Sequence, residues 1–320
     1  MPATPENRGQ TPSTRGGLVA QPGEDRQGAY NKGDIRMTHQ IRRGFADIST
    51  GQIHYRTMGE GHDLVLLHMT NLSSRAYCHV MPLLQGFRCW APDFPGFGQS
   101  DALPGQPDME AFARAIIEFM DHAGIAKAHV FGLHAGNKVG ATMAALWPER
   151  VERLVLSGLT HSLITDQSRR MAAVPDFGRK LKETKKSSPD ERNLNDWALQ
   201  FGKLSKLWWR PSVVGNPEAG AEEINLLEDE ILDLLEGRIG FGAFYRASWA
   251  FDVGELLSRV TVPALVIELA TRREAHLGLQ GPVIEKLMPD CRSVVVEMHD
   301  YDLLYGRPQV LAGHLARFLA

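Results

Sequence analysis

Short apolar runs alternate with amphipathic segments along most of the chain from Arg42 onward. Continuous apolar runs are typical of strands buried on both faces, and apolar stripes at spacings of three and four residues are typical of helices. Because the two kinds of segment alternate, the pattern predicts mostly parallel strands joined by right-handed crossovers. The predicted strands are a hairpin of 41–48 and 53–56, then 64–67, 87–92, 129–133, 153–159, 264–267 and 293–296; the predicted helices are 74–84, 109–123, 135–146, 281–287 and 309–319.

The alternation stops near Ser162 and resumes near Val262. The intervening stretch is helix-prone and holds four of the six tryptophans, which predicts a helical lid over residues 162–255 inserted into a core of residues 36–161 and 256–320. Residues 1–35 have almost nothing apolar to bury, so we expect a disordered N-terminal tail, with Met37 as a second candidate for the natural start.

Composition narrows the classes of partner. The net charge is −3 and the sequence pI about 6.5, so the composition lacks the excess of basic residues that is typical of nucleic-acid-binding proteins. No apolar run approaches the roughly 18 residues of a membrane span, and residues 1–34 lack the apolar core of a secretory signal, so we expect a cytoplasmic protein with three reduced cysteines. The expected partner is a small-molecule substrate, and a homodimer is left open.

Three stretches of the sequence together resemble the α/β-hydrolase superfamily. They are Asp93–Asp101 after a buried strand, Gly132–Gly136 between a strand and a helix with Pro148–Val151 one helix later, and Pro263–Ile267 followed by Tyr305–Pro308. The chain resembles small-molecule members of that superfamily, such as meta-cleavage-product hydrolases, epoxide hydrolases and haloalkane dehalogenases. It implies a twisted, mostly parallel sheet of about eight strands flanked by helices and covered by a helical lid.

The strand-to-helix turn at residues 132–136 resembles the nucleophile elbow of that superfamily. Small residues at Gly132 and Gly136 allow the sharp turn that lifts the residue between them into the cavity. His134 stands where the family usually carries serine. The resemblance implies an oxyanion hole from the backbone N–H groups of Ala135 and Thr70, with Met69 replacing the family's glycine, narrowing the loop and meeting the substrate.

The other two triad positions also depart from the family. Spacing from the matched motifs places Arg272 at the acid position and Tyr301 at the histidine position, so we expect no Ser–His–Asp acyl-enzyme mechanism. His134, at a helix N-terminus that favours neutral imidazole, is our candidate general base, supported by His299 or Tyr301. Which carboxylate supports the site stays open among Glu268, Glu274 and Asp300.

Further residues are candidates for substrate binding. Arg272 could bind a carboxylate or phenolate, or form a surface ion pair; His161, Trp208 and Trp209 could line the cavity. His68 is interpreted as a structural histidine that holds its loop. No set of residues has the sequence spacing of a metal site, and no phosphate loop appears, so we expect neither a metal nor a cofactor.

Two functions remain open at this point. One is an enzyme that acts on a small apolar or aromatic carbonyl compound by hydrolysis or by lyase chemistry, with His134 as base. The other is an inactive member of the fold that binds a ligand or acts as a scaffold. Fold alone does not decide between them.

Overall fold

One eight-stranded sheet organises the protein in the computed structural model, which describes residues 40–70, 72–158, 220, 228–229, 231–233, 235–250, 252–270, 279–298 and 302–320. The strands are β1 (Arg42–Ile48), β2 (Gly51–Met58), β3 (His62–Leu67), β4 (Phe87–Pro92), β5 (Ala128–Leu133), β6 (Val151–Ser157), β7 (Ala264–Leu269) and β8 (Cys291–Val296). The helices are α1 (Met109–His122), α2 (Ala135–Leu146), α3 (Arg238–Trp249), α4 (Val253–Leu257), α5 (Gly281–Leu287) and α6 (Pro308–Leu319).

The strand order is β1-β2-β4-β3-β5-β6-β7-β8. β2 pairs antiparallel with both β1 and β4, and every other pair is parallel. The predicted hairpin and the mostly parallel sheet are therefore confirmed. Because β3 lies between β4 and β5, the loops that leave the carboxyl ends of these strands meet at one edge of the sheet.

Both faces of the sheet are covered. One buried cluster joins the sheet to α1, α2, α4 and α5 through side chains such as Phe112, Val139 and Ile284. A second cluster on the opposite face joins it to residues 72–84 and to α6, with Tyr77 and Leu315 fully buried. Burial on both faces explains why β3 and β5 consist largely of consecutive apolar residues.

The single helix predicted over residues 74–84 is wrong. The structure has two short 3₁₀ turns instead, Ser74–Tyr77 and Met81–Leu83. The reason is Pro82, which has no N–H to donate and whose ring would clash with the carbonyl four residues earlier in a continuous helix. Strand β6 also ends two residues earlier than predicted, since Gly158 turns the chain at φ +67°.

Helix α3 lies within the segment predicted as a lid and packs on the loop that follows β4. The N–H of Gly240 donates to the carbonyl of Gly96 at 2.8 Å, and a Cβ at Gly240 would lie 2.7 Å from that oxygen. Phe244 then stacks on Phe94 with ring centroids 5.4 Å apart. The two glycines thus allow the close approach that seats this helix beside the carboxyl end of β4.

Most of the predicted lid, residues 162–255, and the predicted tail, residues 1–35, lie outside the described residues. None of the helices that are described has both the length and the apolar character needed to cross a bilayer.

Candidate active site

The backbone of the elbow is strained at His134. It has φ 47° and ψ −100°, and it is the one non-glycine residue with positive φ in the part of the chain that the structure describes. The turn needs glycine on both sides: a Cβ at Gly132 would lie 2.5 Å from the carbonyl carbon of Gly136, and a Cβ at Gly136 would lie 2.2 Å from the carbonyl oxygen of Leu67. The interpretation of residues 132–136 as a sharp strand-to-helix elbow is therefore supported by its geometry.

The imidazole of His134 lies against the end of β6. Leu133 and Ser157 are register partners in the parallel strands β5 and β6, so the next residues, His134 and Gly158, are side by side. A Cβ at Gly158 would lie 2.6 Å from Cε1 of His134 and 2.8 Å from each ring nitrogen. Glycine at 158 therefore provides the space that the half-buried imidazole occupies.

Asn137 locks the elbow to the same strand. Its side-chain amide donates to the carbonyl of Ser157 at 2.6 Å, and its Oδ1 accepts from the N–H of Ser157 at 2.9 Å. The N–H of His134 donates to that carbonyl as well, at 2.9 Å. Asn137 is fully buried, so these bonds hold the first turn of α2, and with it His134, in one position.

The two expected oxyanion donors lie at the same edge of the sheet. Ala135 is the first residue of α2, and Thr70 follows β3, whose last residue Leu67 pairs with Gly132. The first N–H groups of a helix have no partner within it. Among the described residues, neither the N–H of Ala135 nor that of Thr70 donates a hydrogen bond. Met69 is half-buried and packs against the apolar cluster on the α6 side of the sheet.

His68 fixes the loop that follows β3 and carries Thr70, one of the two expected oxyanion donors. Its Nε2 accepts from the N–H of Phe94 at 2.9 Å, so Nδ1 carries the proton and donates to the carbonyl of Met69 at 2.8 Å. Complete burial lowers the pKa of His68, which keeps it in this neutral form. Both ring nitrogens are engaged, so the structure agrees with the interpretation of His68 as a structural histidine.

A buried acid that the sequence reasoning missed joins the neighbouring loops. Asp93 accepts from Nδ1 of His54 at 2.8 Å, from the N–H of Ser74 at 2.6 Å and from the N–H of Gln99 at 3.1 Å. Burial acts to raise the pKa of Asp93, but the hydrogen bonds from His54 and Ser74 contribute to lowering it, and the net shift is downward. Asp93 thus remains ionised and organises the loops after β3 and β4.

A second missed acid comes from the segment before α3. Asp233 is buried and accepts from Oγ of Ser73 at 2.7 Å, from the N–H of Ser73 at 3.3 Å and from the guanidinium of Arg75 at 3.1 Å. Burial raises the pKa of Asp233 to about 7, although Arg75 and Ser73 act in the opposite direction. Ser73 follows Thr70 by three residues, so Asp233 ties the inserted segment to the loop of the candidate oxyanion hole.

Glu268, one of the three candidate supporting carboxylates, already has a structural role. Both of its oxygens accept backbone N–H groups at the start of α5, those of Gln280 and Gly281. The remaining candidates of the predicted site lie outside the described residues; they are His161, Trp208, Trp209, Arg272, Glu274, His299, Asp300 and Tyr301. The structure therefore places His134, Ala135, Met69 and Thr70 at the same edge of the sheet, engages Glu268 at α5, and does not describe the eight residues just named.

Comparison with known proteins gives consistent matches. Residues 63–211 match the family model for the alpha/beta hydrolase fold. A 2-hydroxy-6-oxo-6-phenylhexa-2,4-dienoate hydrolase from Comamonas testosteroni is 32% identical over 118 residues, which are 35% of this chain and 41% of that protein. Haloalkane dehalogenase 2 from Mycobacterium tuberculosis is 35% identical over 112 residues, which are 34% of this chain and 39% of that protein.

The chain thus matches about two fifths of the length of these curated relatives. Among solved structures, a hydrolase from Pseudomonas aeruginosa superposes with a TM-score of 0.68 at 21% identity, covering 87% of this chain and 98% of the other. At that identity the likeness shows the fold.

Proposed function

We propose that this chain, whose residues 63–211 match the family model for the alpha/beta hydrolase fold, is an enzyme acting on a small organic molecule, with His134 as general base in place of a serine nucleophile. The proposed reaction is addition of water to an electrophilic carbonyl group, which results in hydrolysis or in cleavage of a C–C or C–O bond. A metal or organic cofactor is not part of the proposal.

The observation that carries the proposal is the backbone strain at His134. Holding the backbone of a non-glycine residue at φ 47° and ψ −100° costs about 1–3 kcal/mol of folding free energy, and such strain persists chiefly at functional sites. Glycine at 158 adds a second cost, because glycine loses more chain entropy on folding than other residues. Both features serve to hold an imidazole at the elbow, which favours a working group over a residue that only fills space.

The proposed step follows from the groups at the elbow. Neutral His134 takes a proton from water while the oxygen of that water forms a bond to the carbonyl carbon. The negative charge that develops on the carbonyl oxygen is stabilised by the N–H groups of Ala135 and Thr70 and by the N-terminus of α2. The imidazolium then returns the proton to the leaving group as the bond to carbon breaks, which regenerates neutral His134.

The proposed substrate class is a small apolar or aryl-bearing compound. The two curated relatives carry names that specify an aryl-bearing oxo-hexadienoate and a haloalkane, which are both small and largely apolar. The aromatic content of residues 162–255, including Trp208 and Trp209, is consistent with this class. For a substrate of this class, the candidates for direct contact stay His299, Tyr301, His161 and Arg272.

The second candidate function is ligand binding without turnover. It is favoured by the role of Glu268, whose oxygens are both engaged at α5, and by the arginine and tyrosine at the positions of the usual acid and histidine. A protein of this kind would keep the cavity and bind the same class of small molecule.

A panel of aryl esters, aryl diketones and vinylogous diketones distinguishes the two functions. For an enzyme with His134 as base, His134→Ala lowers kcat on the order of 10²–10⁴-fold, while the matched surface variant His122→Ala keeps wild-type rates. Reaction with a fluorophosphonate should leave no adduct on any serine. Labelling of one serine at a ratio of one per chain would contradict the mechanism, and binding of panel members without turnover would favour the second function.

A further inference from the structure

A cluster of metal-binding side chains lies at the amino edge of the sheet, opposite to the elbow. His62 begins β3, His129 is the second residue of β5, and Glu152 is the second residue of β6. These three strands are neighbours in the sheet, and all three are parallel. One ligand atom from each side chain lies within 4.8 Å of the ligand atoms of the other two.

His129 is the fixed member of this cluster. Its side chain is 2% exposed, and its Nδ1 has no hydrogen-bond partner among the described residues. Its Nε2 lies 3.9 Å from a carboxylate oxygen of Glu152, which is too long for a hydrogen bond. The nitrogen that faces Glu152 is Nε2, and no hydrogen bond to Glu152 occupies it; the unpartnered Nδ1 shows in addition that this buried imidazole is not held by a hydrogen bond through that atom.

The other two members can adjust. His62 is exposed, and the side chain of Glu152 is 47% exposed, so both can rotate at little cost in packing. The rings of His62 and His129 are already in contact, with centroids 6.1 Å apart. In a tetrahedral site with metal–ligand distances of about 2.0–2.1 Å, the ligand atoms lie about 3.4 Å from one another. Because the ligand atoms lie within 4.8 Å of one another, each separation has to shorten by at most about 1.4 Å, which rotation of the two exposed side chains can supply.

From this geometry we propose that His62, His129 and Glu152 bind a divalent transition-metal ion of the zinc class. Two imidazoles and one carboxylate suit Zn²⁺ and its neighbours rather than Mg²⁺ or Ca²⁺, which prefer oxygen ligands alone. Water fills the fourth position on the exposed side.

Two cations near His129, Lys127 and Arg153, act against a bound ion. The guanidinium of Arg153 is directed to the carbonyl of Phe318 at 2.6 Å and lies over the Phe318 ring, which holds it in a fixed position. The bound ion would connect β3, β5 and β6 at the edge remote from His134. It therefore stabilises the sheet and takes no part in the reaction.

The test is Zn²⁺ binding by the full chain without an affinity tag. The protein is stripped with EDTA, and Zn²⁺ is titrated in competition with a chromophoric chelator. The variants are His62→Ala and Glu152→Gln, both at exposed positions where folding is retained. The matched controls are His122→Ala, another exposed histidine, and Glu149→Gln, which removes the same charge from an exposed position three residues away.

The expected result is that the wild type and both controls bind one more equivalent of Zn²⁺ than either cluster variant. Loss of a ligand should raise Kd by at least the 10–100-fold that loss of an outer-shell partner typically causes. Zn²⁺ should also raise the Tm of the wild type and of the controls, and it should not raise the Tm of the two cluster variants. The proposal is overturned if the wild type retains no Zn²⁺ against the chelator, or if the cluster variants bind it as tightly as the wild type.

Discussion

Replacing Gly158 with alanine tests whether this glycine provides the space for the imidazole of His134. The new Cβ would lie 2.6 Å from Cε1 of His134, whereas ordinary carbon contacts begin near 3.4 Å. The substitution also places alanine at φ +67°. Two separate penalties are therefore expected, one from the ring and one from the backbone.

The two penalties have different magnitudes. A left-handed backbone costs alanine about 1–2 kcal/mol, and forcing extra volume into a packed site costs about 1–3 kcal/mol. Gly158→Ala should therefore lower the free energy of unfolding by about 2–5 kcal/mol in the wild-type background. With His134→Ala the ring is gone, so the same change should cost only the backbone part. The expected coupling energy is thus about 1–3 kcal/mol.

The assay is urea unfolding of the four proteins of this double-mutant cycle, followed by fluorescence and circular dichroism. Gly124→Ala is the matched control, because Gly124 has φ +70° and a Cβ there would meet no atom within 4 Å. That variant should show the backbone penalty alone, in both backgrounds. Additive effects of Gly158→Ala and His134→Ala, within about 0.5 kcal/mol, would refute the contact between Gly158 and the imidazole.

Three further predictions address the elbow, the buried acid and the tail. His134→Gly should be more stable than His134→Ala by about 1–2 kcal/mol in urea unfolding, because glycine relieves the strained backbone; equal stability would argue against strain. Asp233 has a folded pKa of about 7, above its unfolded value of about 3.9, so the folded state binds the extra proton and wild-type stability falls as pH rises from about 4 to 7. The difference in Tm between Asp233→Asn and the wild type should therefore increase from about pH 4 to 7 and level off above pH 7. A difference that does not change with pH would contradict the raised pKa of Asp233. Removal of residues 1–35 should leave Tm nearly unchanged, and a loss of several degrees would mean that the tail docks on the body.

The sheet could be read from the sequence because its signals are local. Strand β3 ends in the apolar run Leu64–Leu67, β5 consists largely of apolar residues, α1 has its apolar stripe, and Gly124 marks the end of that helix. The elbow could be located for the same reason, since Gly132 and Gly136 flank His134 within five consecutive residues. Periodicity and turn chemistry act over a few residues, so one sequence is enough to recognise them.

Contacts between distant segments were decided by the tertiary structure alone. Asp233 meets Ser73 across 160 residues, and its high pKa depends on burial that no local pattern records. Gly158 gained its role only because β6 lies beside β5, which places it against His134.

His62, His129 and Glu152 have no metal-site spacing in the sequence, yet the order β3-β5-β6 places them together at one edge. The sequence by itself determined the strands of the sheet and the elbow, because each depends on neighbouring residues, whereas the helix predicted over residues 74–84 was wrong. The order in which the strands pair decided which side chains meet, because that order depends on how the whole chain buries its apolar faces.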